Sequence, residues 1–133
     1  MGKLLAVVVL GLALFGGAIL LAGDLGGEVV VLATSTDEGG RRHETKLWVV
    51  EDNHQLWIRA GQPGSEWMQR LEANPHVSLT RNGEKRTYRA VLIPKQRERI
   101  NRLMAERYGW ADWLIGLLRD ESQTIPIRLD PVR

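Results

Sequence analysis

Residues 67–80 read Trp-Met-Gln-Arg-Leu-Glu-Ala-Asn-Pro-His-Val-Ser-Leu-Thr and decide the fold. The first half has apolar residues at a helical spacing, and Ser65 stands in the position of a helix N-cap. Pro75 keeps the residue before it out of the helical region, so the helix must end at Asn74. Apolar residues then alternate, as in a strand, over residues 76–81. The stretch therefore predicts a short helix, a tight turn and a strand.

Five further stretches are rich in β-branched and other apolar residues, which favour strands. They are residues 28–34, 45–50, 55–59, 84–93 and 124–129. The second and third of these are joined by a polar turn over residues 51–54, which predicts a hairpin. Asn82 and Gly83 predict another hairpin, because both residues accept the positive φ of a type I′ turn.

Two more helices are predicted near the C-terminus. Pro94 begins the first, in which apolar residues recur at a helical spacing until Gly109 ends it. The second is short, and its predicted apolar side consists of Trp110, Trp113, Leu114, Leu117 and Leu118. Six strands and a few helices indicate a mainly β fold of the α+β class. We predict a six-stranded split β-barrel with short helices over residues 26–133.

Residues 4–23 contain no charged residue and lie between Lys3 and Asp24. At about 1.5 Å per residue, a helix of this length spans roughly 30 Å, the thickness of the hydrocarbon core of a bilayer. We therefore predict a retained single-pass membrane anchor over residues 1–25, with a cleaved signal peptide as the alternative. Lys3 precedes the segment and acidic residues follow it, which favours an extracytoplasmic domain. The two arginines at residues 41–42 favour the opposite orientation.

Composition and motifs exclude several kinds of site. The chain has no cysteine, which excludes disulfides, thiolate metal sites and cysteine nucleophiles. Its three histidines are scattered without ligand spacing, so no metal site is predicted. No phosphate-binding glycine loop or serine-hydrolase motif occurs, and no catalytic residue is singled out. The net charge of +2 does not indicate a nucleic-acid partner.

Two groups of residues are left as candidates for binding. An Arg-Arg-His run at residues 41–43 lies just before a strand, and arginine forms strong, often bidentate bonds to phosphate. The alternative is that this run only solubilises a loop. Trp67, Trp110 and Trp113 are candidates for the walls of an aromatic pocket, although tryptophans also occur in cores and at membrane interfaces.

Several segments, in the same order, resemble those of one known family. The segments are the strand and turn at residues 45–52, the helix, turn and strand at residues 67–77, the helix at residues 99–108 and the last strand at residues 124–127. They are similar to those of the deazaflavin (F420)-dependent nitroreductases and quinone reductases. That family has the flavin-binding split β-barrel of the pyridoxamine-phosphate oxidase type. The resemblance covers most of residues 29–131 and implies the same barrel.

The resemblance also implies an oxidoreductase that binds FMN or F420 and passes a hydride to a quinone or a nitro compound. Our candidates for binding the cofactor phosphate are Arg41, Arg42, His43 and Lys46, which would take over from the loop that the family uses. The residues implied around the cofactor ring are Trp67, Asn74 and Pro75. Those implied on the acceptor side are Trp110 and Trp113. Related split barrels often pair with the cofactor at the subunit interface, which suggests a homodimer by analogy. With an anchor, the implied partners are the cofactor, membrane lipid and a quinone.

One departure from the family keeps a second interpretation open. The family usually has Gly-Arg-Lys-Ser-Gly after its first strand, where this chain has Thr-Asp-Glu-Gly-Gly at residues 36–40. Two cations near the expected phosphate are thus replaced by two anions. The alternative is a degenerate barrel that binds a small ligand, a haem-like ring or a protein partner without redox catalysis. In a third interpretation, a basic helix lies on anionic lipid. Its basic residues are Lys95, Arg97, Arg99 and Arg102.

Overall fold

The computed structural model describes residues 28–36, 40–117 and 120–132. These residues form one antiparallel sheet of seven strands together with three α-helices, which confirms a mainly β fold with helices. The strands are β1 (Val29–Thr34), β2 (His43–Trp48), β3 (Val50–Asp52), β4 (Gln55–Ala60), β5 (His76–Arg81), β6 (Glu84–Leu92) and β7 (Ile125–Pro131). The α-helices are α1 (Glu66–Ala73), α2 (Arg97–Tyr108) and α3 (Trp110–Gly116). Short 3₁₀ turns cover Pro94–Gln96 and Glu121–Gln123.

The sheet is curled so that its two edges approach each other. Its strand order is β2-β1-β5-β6-β7-β4-β3, which puts β2 and β3 at opposite edges. Val49 alone separates these two strands in the chain, so the edges must come together at this residue. The Val49 carbonyl accepts a hydrogen bond from the Tyr108 hydroxyl of α2. The predictions of six strands and of one strand over residues 45–50 were wrong, because the chain passes from one edge to the other at Val49.

Both predicted hairpins are present. Asn82 and Gly83 connect β5 to β6 with φ angles of 53° and 77°. Asn53 and His54 connect β3 to β4 with φ angles of 51° and 65°. Positive φ at both central residues is the pattern of a type I′ turn, whose twist matches that of the paired strands. The second connection is shorter than the predicted turn, because β3 continues to Asp52.

The stretch over residues 67–80 folds as predicted. α1 ends at Ala73, and Asn74 after it is extended, with φ −142° and ψ 103°. The chain then enters β5, which pairs with β1 and β6. Met68 and Leu71 of α1 are buried in the core. The Ser65 side chain stands at the N-cap position without a capping hydrogen bond. Apolar burial therefore fixes this helix more than its cap does.

Each face of the sheet carries an apolar cluster. The larger cluster packs with α1 and includes Val30, Leu32, Ile58, Leu79 and Ile127. The smaller cluster packs with α2 and includes Trp57, Ile100, Met104 and Tyr108. Trp57 and Ile58 are neighbours in β4 and belong to different clusters, as expected because successive side chains of a strand point to opposite faces. The helices α1 and α2 therefore cover opposite faces of the sheet.

Within the described part of the chain, no helix is both long enough and apolar enough to cross a membrane. The predicted anchor over residues 1–25, with its uncharged stretch at residues 4–23, lies outside the described residues. The anchor therefore stays a prediction.

Candidate functional site

A pocket lies in the gap between β2 and β4. In the described sheet, β2 pairs with β1, and β4 pairs with β3 and β7, so these two strands approach each other without pairing. The pocket is lined by Val29, Lys46, Leu47, Trp48, Arg59, Gly61, Trp67 and Ile115. Its volume is about 210 Å³. This cavity, named the β2–β4 pocket, is where the curled sheet remains open.

Two tryptophans and one lysine give the β2–β4 pocket its chemistry. Trp48 and Trp67 are half-buried, whereas Lys46 is exposed. The Trp48 ring packs on the Tyr108 ring, with the centroids 4.7 Å apart and the planes inclined by 36°. The Tyr108 hydroxyl is bonded in turn to the Val49 carbonyl, which fixes this wall from behind. Indole rings can pack against a flat ligand, and the Lys46 ammonium can bind an anionic group.

The arginine in the pocket wall is already paired. Arg59 forms a buried ion pair with Asp112 of α3, and the two side chains are 4% and 3% exposed. Its Nη1 also donates to Asn101 Oδ1 at 3.0 Å, and the Thr124 hydroxyl donates to the same oxygen at 3.1 Å. The charge of Arg59 is therefore compensated within the protein. This side chain shapes the pocket and leaves Lys46 as the cation that a ligand can reach most directly.

A cluster of charged groups holds the start of β1 next to the pocket. Glu28 accepts hydrogen bonds from Arg81 Nε at 2.6 Å and from Arg107 Nη2 at 2.6 Å. The bond from Arg81, together with the positive charges of Arg81 and Arg107, keeps the pKa of Glu28 below its ordinary value. Burial raises the pKa of the Tyr108 hydroxyl, to which Arg107 Nε donates at 3.1 Å. These contacts link β1 to the last turn of α2.

A second polar site lies where β1 ends and α1 turns into β5. Arg70 Nε donates to the buried Thr34 hydroxyl at 2.9 Å and so ties α1 to β1. Asn74 is 6% exposed, and its Oδ1 accepts a bond from the His76 backbone N–H at 3.2 Å. Its Nδ2 is buried and has no hydrogen-bond partner among the described residues. An unsatisfied buried donor costs about 1–3 kcal/mol, so this amide is a candidate ligand contact.

The structure brings only part of the predicted phosphate and ring site together. Lys46 and Trp67 both line the β2–β4 pocket. Arg41, Arg42 and His43 are exposed just before and at the start of β2, and His43 lies about 10 Å from Lys46 along the strand. The Arg42 guanidinium contacts the Ala33 carbonyl at 3.5 Å. The basic run and the pocket therefore lie at opposite ends of one edge strand.

The remaining predicted residues lie outside the β2–β4 pocket. Asn74 and Pro75 form the turn after α1, and the Pro75 carbonyl accepts a bond from the Ala90 N–H at 2.8 Å. Trp110 and Trp113 are on α3 and are 63% and 67% exposed. The predicted apolar side of this helix is thus turned largely toward solvent. Asp112 on the opposite side is buried because it pairs with Arg59.

Three residues of the site were missed in the sequence. Trp48 was treated only as a strand residue, although it follows Lys46 at the spacing that puts both on one face of β2. Arg59 is a charge at the end of an otherwise apolar strand, which was a signal for a buried partner. Asp112 is an acidic residue inside an apolar helix, which was the matching signal. The positions of Arg59 and Asp112 in the sequence do not show that these two charges pair with each other.

Comparison with known proteins gives the family. The sequence pattern of the F420H(2)-dependent quinone reductase family matches residues 16–128. The chain belongs to this family. A search of curated individual proteins finds no match. Membership confirms the resemblance that was drawn from residues 45–52, 67–77, 99–108 and 124–127.

Solved structures share the fold of this F420H(2)-dependent quinone reductase family member. HutZ, the haem storage protein from Vibrio cholerae, is 19% identical with a TM-score of 0.61, over 80% of this chain and 82% of HutZ. The F420-H2 dependent reductase FDR-A is 22% identical with a TM-score of 0.59, over 76% of this chain and 93% of that one. A candidate pyridoxamine 5′-phosphate oxidase from Listeria innocua is 19% identical with a TM-score of 0.59, over 90% and 94%.

Proposed function

We propose that this protein is an oxidoreductase that uses F420, or FMN as the alternative, and passes a hydride to a quinone or a nitro-type acceptor. The observation that carries the proposal is the β2–β4 pocket in a member of the F420H(2)-dependent quinone reductase family. The pocket combines two indole rings with a lysine ammonium, which suits one flat and one anionic part of a ligand.

The residues present fit one end of such a cofactor. Pockets for whole ligands of drug size usually measure about 300–1,000 Å³, and this one measures about 210 Å³. The pocket can therefore hold the ring while the rest of the molecule follows the exposed strand β2. This strand spans roughly 17 Å at about 3.4 Å per residue, from Trp48 to His43 and the neighbouring Arg42. A phosphate at that end would meet the predicted basic run.

The chain contributes positioning and charge. The cofactor, when bound, supplies the hydride. Trp48, supported by Tyr108, and Trp67 hold the flat face, and Lys46 binds negative charge beside it. Ile115 of α3 lines the pocket and helps to exclude water from it. Fixed orientation of two reactants is itself a large part of catalysis, so no acid–base residue is needed in this proposal.

The predicted location belongs to the same proposal. We place residues 1–25 in the membrane as a single-pass anchor, with the barrel on the extracytoplasmic side. The uncharged stretch at residues 4–23 supports this placement, since it has the length of a bilayer span. Quinones dissolve in lipid, so an anchored barrel would work where its acceptor is concentrated. By analogy with the family, the oligomeric state in this proposal is a homodimer.

The test is binding of F420 and FMN to the full-length protein in detergent, followed by absorbance and fluorescence. Lys46→Gln should weaken binding by roughly tenfold or more, because a hydrogen bond to a charged group contributes about 1.5–3 kcal/mol. The matched control is Lys85→Gln, an exposed lysine of β6 that does not line the pocket. Equal effects of the two substitutions would contradict the assigned site.

Other outcomes of this titration separate the alternatives. Binding of haem with a Soret band, and of neither F420 nor FMN, would assign the pocket to a haem-like ring. A protein that binds none of the three would favour the degenerate module, to which the anions at residues 36–40 point. Tight F420 binding with hydride transfer to a soluble quinone would establish the redox function.

A further inference from the structure

Helix α3 presents a stripe of exposed apolar side chains. Trp110 is 63% exposed, Trp113 is 67% exposed and Leu117, directly after the helix, is 54% exposed. These positions are spaced i, i+3 and i+7, so they lie on one side of the helix. Val132, which is 47% exposed, is an exposed apolar residue elsewhere in the described part of the chain. A cluster of this kind on a small domain usually marks a surface that is covered in the working protein.

The orientation of this stripe is enforced by the core. Ala111 and Asp112 on the other side of α3 are buried, and the Asp112 carboxylate pairs with Arg59. Rotation of α3 to bury the tryptophans would take Asp112 away from Arg59 and leave a buried arginine uncompensated. The exposed face is therefore a fixed feature of the fold and is not a loosely packed helix end.

The stripe lies on the side of the barrel from which the N-terminal segment leaves. Val29, at the start of β1, and Ile115 of α3 line the same pocket. Arg107, three residues before α3, is bonded to Glu28. The uncharged stretch ends at Gly23, and the chain from there to Glu28 can span at most roughly 18 Å when extended. A bilayer that held residues 4–23 would therefore lie close to α3.

We propose that the Trp110, Trp113 and Leu117 face of α3 docks into the lipid–water interface. Tryptophan is enriched at this boundary, where its ring is apolar and its N–H can be hydrated. Docking brings α3, whose Ile115 lines the β2–β4 pocket on the other side of the helix, to the membrane surface where lipid-soluble molecules are concentrated. The inference rests on the membrane location proposed for residues 1–25 and does not depend on which cofactor binds.

The basic helix is a less favourable docking surface than α3. Arg97 Nε donates to the Thr124 carbonyl at 2.6 Å, so this guanidinium is engaged within the protein. Arg99 is paired with Asp52 and lies over the Trp57 ring at 5.7 Å from its centroid. Two of the four cations that were considered for anionic lipid are therefore committed to the fold.

The test places one fluorophore on the full-length chain, which is simple because the natural sequence has no cysteine. Leu117→Cys carries the label at the proposed interface. Glu72→Cys carries it on the exposed surface of α1, near the opposite end of β1. Each labelled protein is bound to phosphatidylcholine vesicles that contain a nitroxide lipid quencher, and vesicle flotation measures how much protein is bound.

We expect quenching at Leu117→Cys to be several-fold stronger than at Glu72→Cys. Adding Trp110→Ser and Trp113→Ser to the Leu117→Cys chain should reduce its quenching to the Glu72→Cys level while the protein stays bound. Equal quenching at the two sites, or strong quenching that persists without the tryptophans, would overturn the docking surface. Strong protection of Leu117→Cys from a water-soluble quencher before vesicles are added would assign the face to another part of the chain or a second copy. A chain that does not float with vesicles would refute the membrane location itself.

Discussion

Arg59 of β4 and Asp112 of α3, separated by 53 residues in the chain, form a buried ion pair that joins the helix to the sheet. Asn101 of α2 accepts a further bond from Arg59, so three elements meet at one guanidinium. The same pair shapes the wall of the β2–β4 pocket and turns Trp113 outward. A single polar contact thus connects the candidate site to the proposed docking surface.

Removal of one partner of this pair should be costly. Asp112→Ala leaves the Arg59 charge buried without its carboxylate, and we expect the free energy of unfolding to fall by about 3–5 kcal/mol. The control Asp120→Ala removes an exposed carboxylate that accepts a bond from the Ser122 N–H at 2.9 Å, and should lower the stability far less. Urea unfolding followed by circular dichroism measures both. A cost for Asp112→Ala no larger than that of the control would contradict the buried pair.

Removal of both partners should be tolerated better than removal of one. In the double variant Arg59→Met with Asp112→Leu, no charge is left uncompensated, and apolar replacements of buried pairs are often neutral or stabilising. We expect this variant to recover most of the stability that Asp112→Ala loses, by the same urea measurement. In the double variant the Asn101 Oδ1 no longer accepts the bond from Arg59. We expect this loss to lower the free energy of unfolding by about 1 kcal/mol.

The two hairpins offer a reciprocal test of backbone strain. His54 and Gly83 occupy equivalent turn positions, with φ angles of 65° and 77°. The left-handed region costs an ordinary residue roughly 1–2 kcal/mol, partly offset by the greater flexibility of glycine when unfolded. His54→Gly should therefore stabilise the protein by about 0.5–1 kcal/mol, and Gly83→His should destabilise it by a similar amount.

The space around Gly83, in the turn between β5 and β6, simplifies the comparison. A Cβ atom added to Gly83 meets no atom within 4 Å, so a loss of stability there does not come from a clash at the Cβ atom. Thermal unfolding of both variants and the parent measures the changes. Shifts of the same sign in the two variants would show that side-chain contacts outweigh the turn geometry.

The ion pairs of Glu28 predict a pH dependence of stability. Its pKa is lowered in the folded protein, first by the bond from Arg81. The stability that Glu28 contributes is therefore complete above its unfolded pKa of about 4.3. This stability is lost as the pH falls through the lower pKa of the folded protein. The parent should be more stable than Glu28→Gln at neutral pH, and the difference should shrink below about pH 4. Urea titrations between neutral and acidic pH measure it, with Glu98→Gln on the exposed side of α2 as the control.

Signals between neighbouring residues predicted a large part of this fold. Pro75 ended α1, Asn82 with Gly83 formed the expected turn, and Gly109 separated α2 from α3. Each of these effects acts on the local backbone, where proline and glycine restrict or widen the accessible angles. The family followed from segments of this kind taken in order.

Contacts between distant residues could not be predicted in this way. Val49 divides a continuous run of strand-forming residues, because the closing of the sheet, and not the local sequence, requires the change of edge there. The orientation of α3 depends on the pairing of Asp112 with Arg59, far away in the chain, which the apolar spacing of Trp110 and Trp113 does not reveal. Lys46 and Trp67 were identified through the family resemblance, whereas Trp48 needed the three-dimensional gap between β2 and β4.

Asn74 gives the sharpest test of how far the cofactor site extends. Its Nδ2 is buried without a partner among the described residues, while its Oδ1 accepts the His76 N–H. Asn74→Asp keeps the acceptor but replaces the donor with negative charge. If this amide contacts the cofactor phosphate or ring, F420 affinity should fall by roughly tenfold or more, since a bond to a charged group contributes about 1.5–3 kcal/mol.

The control for this substitution lies at the other end of the same helix. The Ser65 hydroxyl is likewise buried without a partner in the described structure and does not cap α1. Ser65→Ala should leave F420 affinity unchanged and stability nearly unchanged, because it removes an unsatisfied group and no capping bond. Fluorescence titration with F420 and urea unfolding are measured on both variants. A folded Asn74→Asp protein that binds F420 as tightly as Ser65→Ala would restrict the cofactor to the β2–β4 pocket and exclude the turn after α1.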